Sequence, residues 1–175
     1  LDHGTMRAFV RPATLDIPSQ TLEQLAELVH KNYLNSTPYS DIDPVRRKYE
    51  KLREDLKESN RQQILYAAEI LATEGYTVRP FAGTGPIQPP PFDDDDEVER
   101  LAELEHGRWN IERLGVGWQY GEQKDVEKKL NPNLLPWEAL PKDRDGVRQY
   151  DRKAIRNYAQ LLAQAGFEVV KRKGG

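Results

Sequence analysis

The feature that most limits the folds open to this 175-residue chain is a repetition inside it. The run Leu25-Ala26-Glu27-Leu28-Val29-His30-Lys31-Asn32-Tyr33 lines up with Leu101-Ala102-Glu103-Leu104-Glu105-His106-Gly107-Arg108-Trp109 after an offset of 76. Further on, Arg61, Ile64, Ile70 and Gly75 meet Arg152, Ile155, Leu161 and Gly166 after an offset of 91. A helical pair cannot bury its apolar stripe alone, so two copies are expected to cover each other as one compact domain about a pseudo-twofold axis. The fold class reads as all-α. The longer second offset places an extra arm, a loop or short hairpin, inside the second copy between Gly117 and Trp137.

Apolar spacing fills in the elements. Leu22, Leu25, Leu28 and Val29 recur at helical intervals behind Ser19 or Thr21 as caps, and a charged helix is expected over residues 45–56. Ser59 is the expected N-cap of a separate helix at 60–74, closed by Gly75 in a left-handed conformation with Tyr76 folding back on the last turn. The proline-rich stretch 80–92 reads as a crossover linker. Asp93 to Glu97 open a helix at about 94–114, where negative charge complements the exposed amides and the dipole. Leu101, Leu104, Ile111 and Leu114 form one of its stripes, and His106, Trp109 and Arg113 the next. A short charged helix near 123–130 and a final helix from about Asp151 to Gly166-Phe167 complete the chain. Copy one thus spans about 20–80 and copy two about 93–170; residues 1–6 read as a tag or linker remnant ahead of a single domain at 7–175. The expected core is Leu25, Leu28, Ile64, Ile70, Leu101, Leu104, Ile111, Ile155, Leu161 and Leu162.

Composition removes several functions. With no cysteine there is no disulfide, thiolate metal site or cysteine nucleophile, in keeping with a reducing, cytoplasmic setting. His3, His30 and His106 do not form a zinc-binding pattern, and Asp93 to Asp96 lack the spacing of a calcium loop, so no metal and no cofactor are expected. There is no phosphate-binding glycine loop and no nucleophile elbow, and the reading is non-enzymatic. A net charge of −3 gives no general attraction for nucleic acid, and no run is apolar enough for a membrane segment.

What remains is the stretch 106–141, which holds all three tryptophans. His106, Trp109 and Arg113 are open to two readings: a recognition face with a guanidinium able to stack or bind an anion, or a core tryptophan beside a histidine bonded to a carbonyl. Trp118 and Tyr120 lie between Gly117 and Gly121 in a non-helical turn, a placement that favours exposure of one ring face, and two readings are open for them: a ligand or partner surface, or local packing. Lys124, Asp125, Lys128 and Lys129 fit either a solvated face or a phosphate-binding patch.

The ordered set His106-x-x-Trp109, Gly117-Trp118-x-Tyr120-Gly121, Lys124-Asp125, Pro132-x-Leu134-Leu135-Pro136-Trp137, Leu140-Pro141, Tyr150-Asp151-Arg152 and Gly166-Phe167 resembles the RyR domain, the repeat first described in ryanodine receptors. Copy one resembles it less fully, through His30-x-x-Tyr33, Lys57-Glu58-Ser59-Asn60-Arg61 and Gly75-Tyr76, and has no Gly-Trp-x-Tyr-Gly element. The resemblance covers about 25–80 and 98–170 and looks like that of a prokaryotic or phage member. It implies an all-helical unit with a regulatory or interaction role and no known catalysis. It also implies an adenine-type ligand stacked on tryptophan, for which Trp109 and Trp118 are the matching positions.

The resulting expectation is a non-catalytic regulatory module that binds a small planar, adenine-nucleotide-like ligand through Trp109, Arg113, Trp118, Tyr120, Lys124, Asp125 and Arg152. The competing reading is a protein-interaction or oligomerisation module with Trp118, Tyr120 and Trp137 as anchors.

Overall fold

The computed structural model describes residues 16–36, 48–141 and 145–172. The expected tag, most of the loop at 35–44 and the first residues of the expected 45–56 helix lie outside them. Helix α1 (Ser19–Ser36) leads to a 3₁₀ turn (Tyr49–Lys51), helix α2 (Glu54–Ala72) and strand β1 (Tyr76–Pro80). After residues 81–94, which form no regular element, come helix α3 (Asp95–Gly115), the two-residue strands β2 (Gln119–Tyr120) and β3 (Leu130–Asn131), and a 3₁₀ turn (Trp137–Ala139). Helix α4 (Asp145–Gln164) and strand β4 (Phe167–Lys171) close the chain.

The fold is therefore mixed α/β, and the all-α expectation is corrected by two small sheets. Gly75 and Gly166 do take the left-handed conformation, each at φ +83°. Each glycine leads into a strand, not into a side chain folded back on the helix. β1 and β4 pair antiparallel, Tyr76 opposite Lys171, Val78 opposite Val169 and Pro80 opposite Phe167. The signal lies in Tyr-Thr-Val and Phe-Glu-Val-Val, rich in aromatic and β-branched residues, with Phe167 and Val169 buried at a period of two. Each strand is only five residues long and gains its ladder from a partner 91 positions away, so neither declares itself locally. In the arm, β2 and β3 are parallel, and the turn between them replaces the expected 123–130 helix.

The helices pack α1 on α2, α2 on α3, and α3 on α4. Leu25, Ile64, Ile70, Leu101, Ile155, Leu161 and Leu162 fill the core, with Leu28 and Leu104 packed against it at partial exposure. Ile111 is outside that core, and Leu114 is 49% exposed, so the apolar stripe of α3 leaves the interior at its C-terminal end. Glu105, His106, Arg108 and Arg113 are buried there instead. Asp94 caps α3, its Oδ1 accepting from the amides of Asp96 at 3.0 Å and Glu97 at 3.2 Å. Ser59 is not a cap: α2 runs unbroken from Glu54, and the Ser59 hydroxyl donates to Glu112 Oε2 on α3 at 3.0 Å. α4 starts six residues before the expected Asp151.

Candidate functional site

A cleft of about 210 Å³ opens where α1, α2, α3, α4 and the arm meet. The polar end of α3 supplies its inner wall, because the stripe that carries Val98, Leu101 and Ala102 into the core continues as Glu105, Arg108 and Trp109 on the succeeding turns. Glu105 and Arg108 are 2% and 3% exposed and paired in a fork, Nε to Oε2 at 2.9 Å and Nη2 to Oε1 at 2.7 Å. Burial opposes the arginine charge, but Glu105 overcomes it and holds the guanidinium above its usual pKa.

His106 lies beside them, 3% exposed at its side chain, with Nε2 2.7 Å from the Leu135 carbonyl and Nδ1 3.3 Å from Asp151 Oδ2. A carbonyl only accepts, so Nε2 carries a proton, and Nδ1 and the Asp151 carboxyl share another. Burial pushes Asp151 up to about 6 despite the neighbouring ring. Burial also works against a charged His106, yet the Asp151 carboxylate and the Leu135 carbonyl together leave it raised. The pair is thus built to hold a proton.

Aromatic rings frame the opening. Trp109 is half-buried, its indole 5.7 Å from the His106 ring and packed on the cluster of Trp118, Val126 and Leu134. Tyr33 of α1 and Tyr150 of α4, both lining the cleft, sit 5.8 Å apart between ring centroids.

Of the residues singled out from sequence, Trp109, Arg113, Trp118 and Lys124 line this cleft. Tyr120 is 51% exposed on the outside of the arm. Asp125 exchanges backbone bonds with Leu130, and its Oδ1 accepts from the Lys128 amide at 3.0 Å, stabilising the turn. Arg152 pairs with Glu99, Nε to Oε2 at 2.6 Å, and lies over the Trp137 ring. The structure does not bring these three to the cleft.

The expectation that Trp118 shows a ring face to solvent is corrected: it is 2% exposed. Its Nε1 donates to Asp55 Oδ2 at 3.1 Å, and the Arg113 guanidinium lies 5.5 Å from its ring centre. Arg113 in turn binds Glu112 through Nε at 2.8 Å and donates from Nη2 to the Asp55 carbonyl at 2.7 Å. Arg53 donates to the Val126 carbonyl at 2.8 Å. The N-terminal end of α2 therefore clamps the arm. Burial would raise Asp55, but its bond to Trp118 and the charges of Arg53, Arg113 and Lys129 bring it below its usual range. The glycine before Trp118 permits this inward turn: Gly117 has φ +92°.

Sequence reasoning missed Glu105 and Arg108, and gave Asp151 no role in the site. The i, i+3 spacing of Glu105 and Arg108 on the continuation of a core stripe was the available signal. Among the described residues no group of three or more His, Asp or Glu side chains could hold a metal, and no helix is long and apolar enough to cross a membrane.

Fold and cleft together define a small α/β module with a largely paired polar interior at one end of α3. The comparison with known families gives the class a name. Residues 91–171 match the model of the RyR domain family. The match takes in α3, the arm, α4 and β4; β1 precedes it, as do α1 and α2, which supply the remaining walls of the cleft. The family points to a non-enzymatic module.

Proposed function

We propose that this RyR-type domain is a regulatory binding module whose cleft takes a small planar ligand of adenine type. The carrying observation is the half-buried Trp109 on the wall of a cleft shared by both halves of the chain. An indole in this setting offers stacking area at low entropic cost, and a ligand bridging the two halves would alter how they are held. The cleft volume of about 210 Å³ is below the ~300–1,000 Å³ that buries a drug-sized molecule, which favours one ring system with a short substituent over a dinucleotide. Of the residues first singled out, Trp109 stacks the ligand, Lys124 approaches it, and Trp118 and Arg113 support the wall.

Thermal unfolding against adenine, adenosine and the adenosine phosphates tests this. A saturable rise in midpoint is expected by linkage, to be lost in Trp109→Ala. A flat response to every compound would reject the reading.

One observation favours a second reading, a protein-interaction surface: Leu114, Val116 and Tyr120 are 49%, 38% and 51% exposed beside the arm. If that surface drives self-association, apparent mass will rise with protein concentration and Leu114→Ser/Tyr120→Ser will abolish the rise.

A further inference from the structure

We propose that the ligand of this cleft is an anion, carrying a phosphate or carboxylate group that is received on the inner wall by Nη1 of Arg108, with Lys153 and Lys124 nearer the mouth. The inference rests on the ligand-binding reading and deepens it.

Arg108 is 3% exposed and lines the cleft, and Glu105 occupies only its Nε and Nη2. Its other amino group, Nη1, is buried and has no hydrogen-bond partner among the described residues. A charged donor without an acceptor is costly in an interior, whereas an anionic oxygen would form a charge-assisted bond there. The lining charges agree. Arg108 is paired with Glu105, Arg113 is answered by Glu112 and Asp55, and Lys124 and Lys153 add two further cations to a lining whose other carboxylate is Asp151, on a chain whose formal charge is −3. Both carboxylates are already engaged, Glu105 by Arg108 and Asp151 by His106.

Arg113 is the less suitable receiver. Its Nη1 also has no hydrogen-bond partner among the described residues, but it lies 3.8 Å from Asp55 Oδ2, and Glu112 holds the other edge of the guanidinium. Two carboxylates already answer that charge. Arg152, paired with Glu99, lies away from the cleft.

The test is calorimetric titration of the full chain, at fixed ionic strength, with adenosine, adenosine 5′-monophosphate, adenosine 5′-carboxylate and inorganic phosphate. We expect the monophosphate to bind at least tenfold tighter than adenosine. A preference shared by the carboxylate identifies a general anion site, and one confined to the phosphate identifies a phosphate site; both support the inference. Arg108→Gln alone strands Glu105 in the interior, so the informative variant is Glu105→Gln/Arg108→Gln. It should bring the monophosphate within twofold of adenosine, both measured on that variant. If that variant does not fold, the wild-type ratio decides. Adenosine binding within twofold of the monophosphate overturns the anion and spares the stacking reading. Binding of phosphate with neither nucleoside nor nucleotide does the reverse, and silence of all four probes overturns both.

Discussion

Replacing Trp118 by alanine should act on stability, with a size set by its surroundings. The side chain is 2% exposed and packs with Val126 and Leu134, so truncation removes a fully buried indole, a class of change that costs about 3–5 kcal/mol. The same change leaves Asp55 Oδ2 without its indole donor and exposes the guanidinium of Arg113 that now lies over the ring. Arg53 and Arg113 remain near the carboxylate, so the lost hydrogen bond adds only about 1 kcal/mol, part of which is already in the truncation cost. A total of about 4 kcal/mol is a large share of the ~5–15 kcal/mol typical of a domain. With a urea slope of about 2 kcal/mol/M, the midpoint should fall by about 2 M, measured by far-ultraviolet circular dichroism. Trp118→Phe retains most of the packing and should lose about 1–2 kcal/mol. The arm is tied to α2 through Arg53 and to α3 through His106 and Asn110, so its loosening should register in global unfolding. A loss below about 1 kcal/mol for Trp118→Ala, with the slope unchanged, would refute the account of Trp118 as the arm's buried anchor.

Three further outcomes are expected. Asp151 has a folded pKa raised to about 6, and His106 is raised as well, so the native state holds protons that the unfolded chain releases. Stability from this pair is full at pH values below the unfolded carboxylate pKa and is lost as pH rises through about 6 and the raised histidine value. The difference in unfolding free energy between wild type and His106→Gln/Asp151→Asn should therefore fall between pH 4 and 8; a difference that grows over that range would contradict the assignment. Gly75→Ala places a methyl group in open space but forces alanine to φ +83°, so it should cost about 1–2 kcal/mol in urea denaturation, and Gly75→Asn less. Asp94→Ala removes the side chain that accepts from two amides at the start of α3 and should cost about 0.5–2 kcal/mol, with Asp94→Ser nearly neutral; equal losses in both variants would count against capping.

Most helices and their endings are set by near neighbours in the chain. Leu25, Ile64, Leu101 and Ile155 sit on stripes whose spacing already assigns them to an interior, and Gly75 and Gly166 stand where only a left-handed residue closes the turn. Such properties are legible locally. Half of the site was legible in the same way: Trp109, with its ring beside His106, comes from a three-residue spacing on one helix. The rest depends on partners far along the chain, and tertiary contacts alone settle it. β1 is a strand because β4 lies beside it, and without that partner its five residues have no ladder to join. Trp118 turns inward because Asp55, 63 positions earlier, accepts its N–H, and Arg113 is drawn in with it. Leu114 is left at the surface and Arg108 is buried, the reverse of their intrinsic preferences, because α2, α4 and the arm cover the part of α3 that carries Arg108 and leave Leu114 uncovered. Sequence pattern sets which face of a helix could be covered, whereas the elements that arrive from elsewhere set which face is.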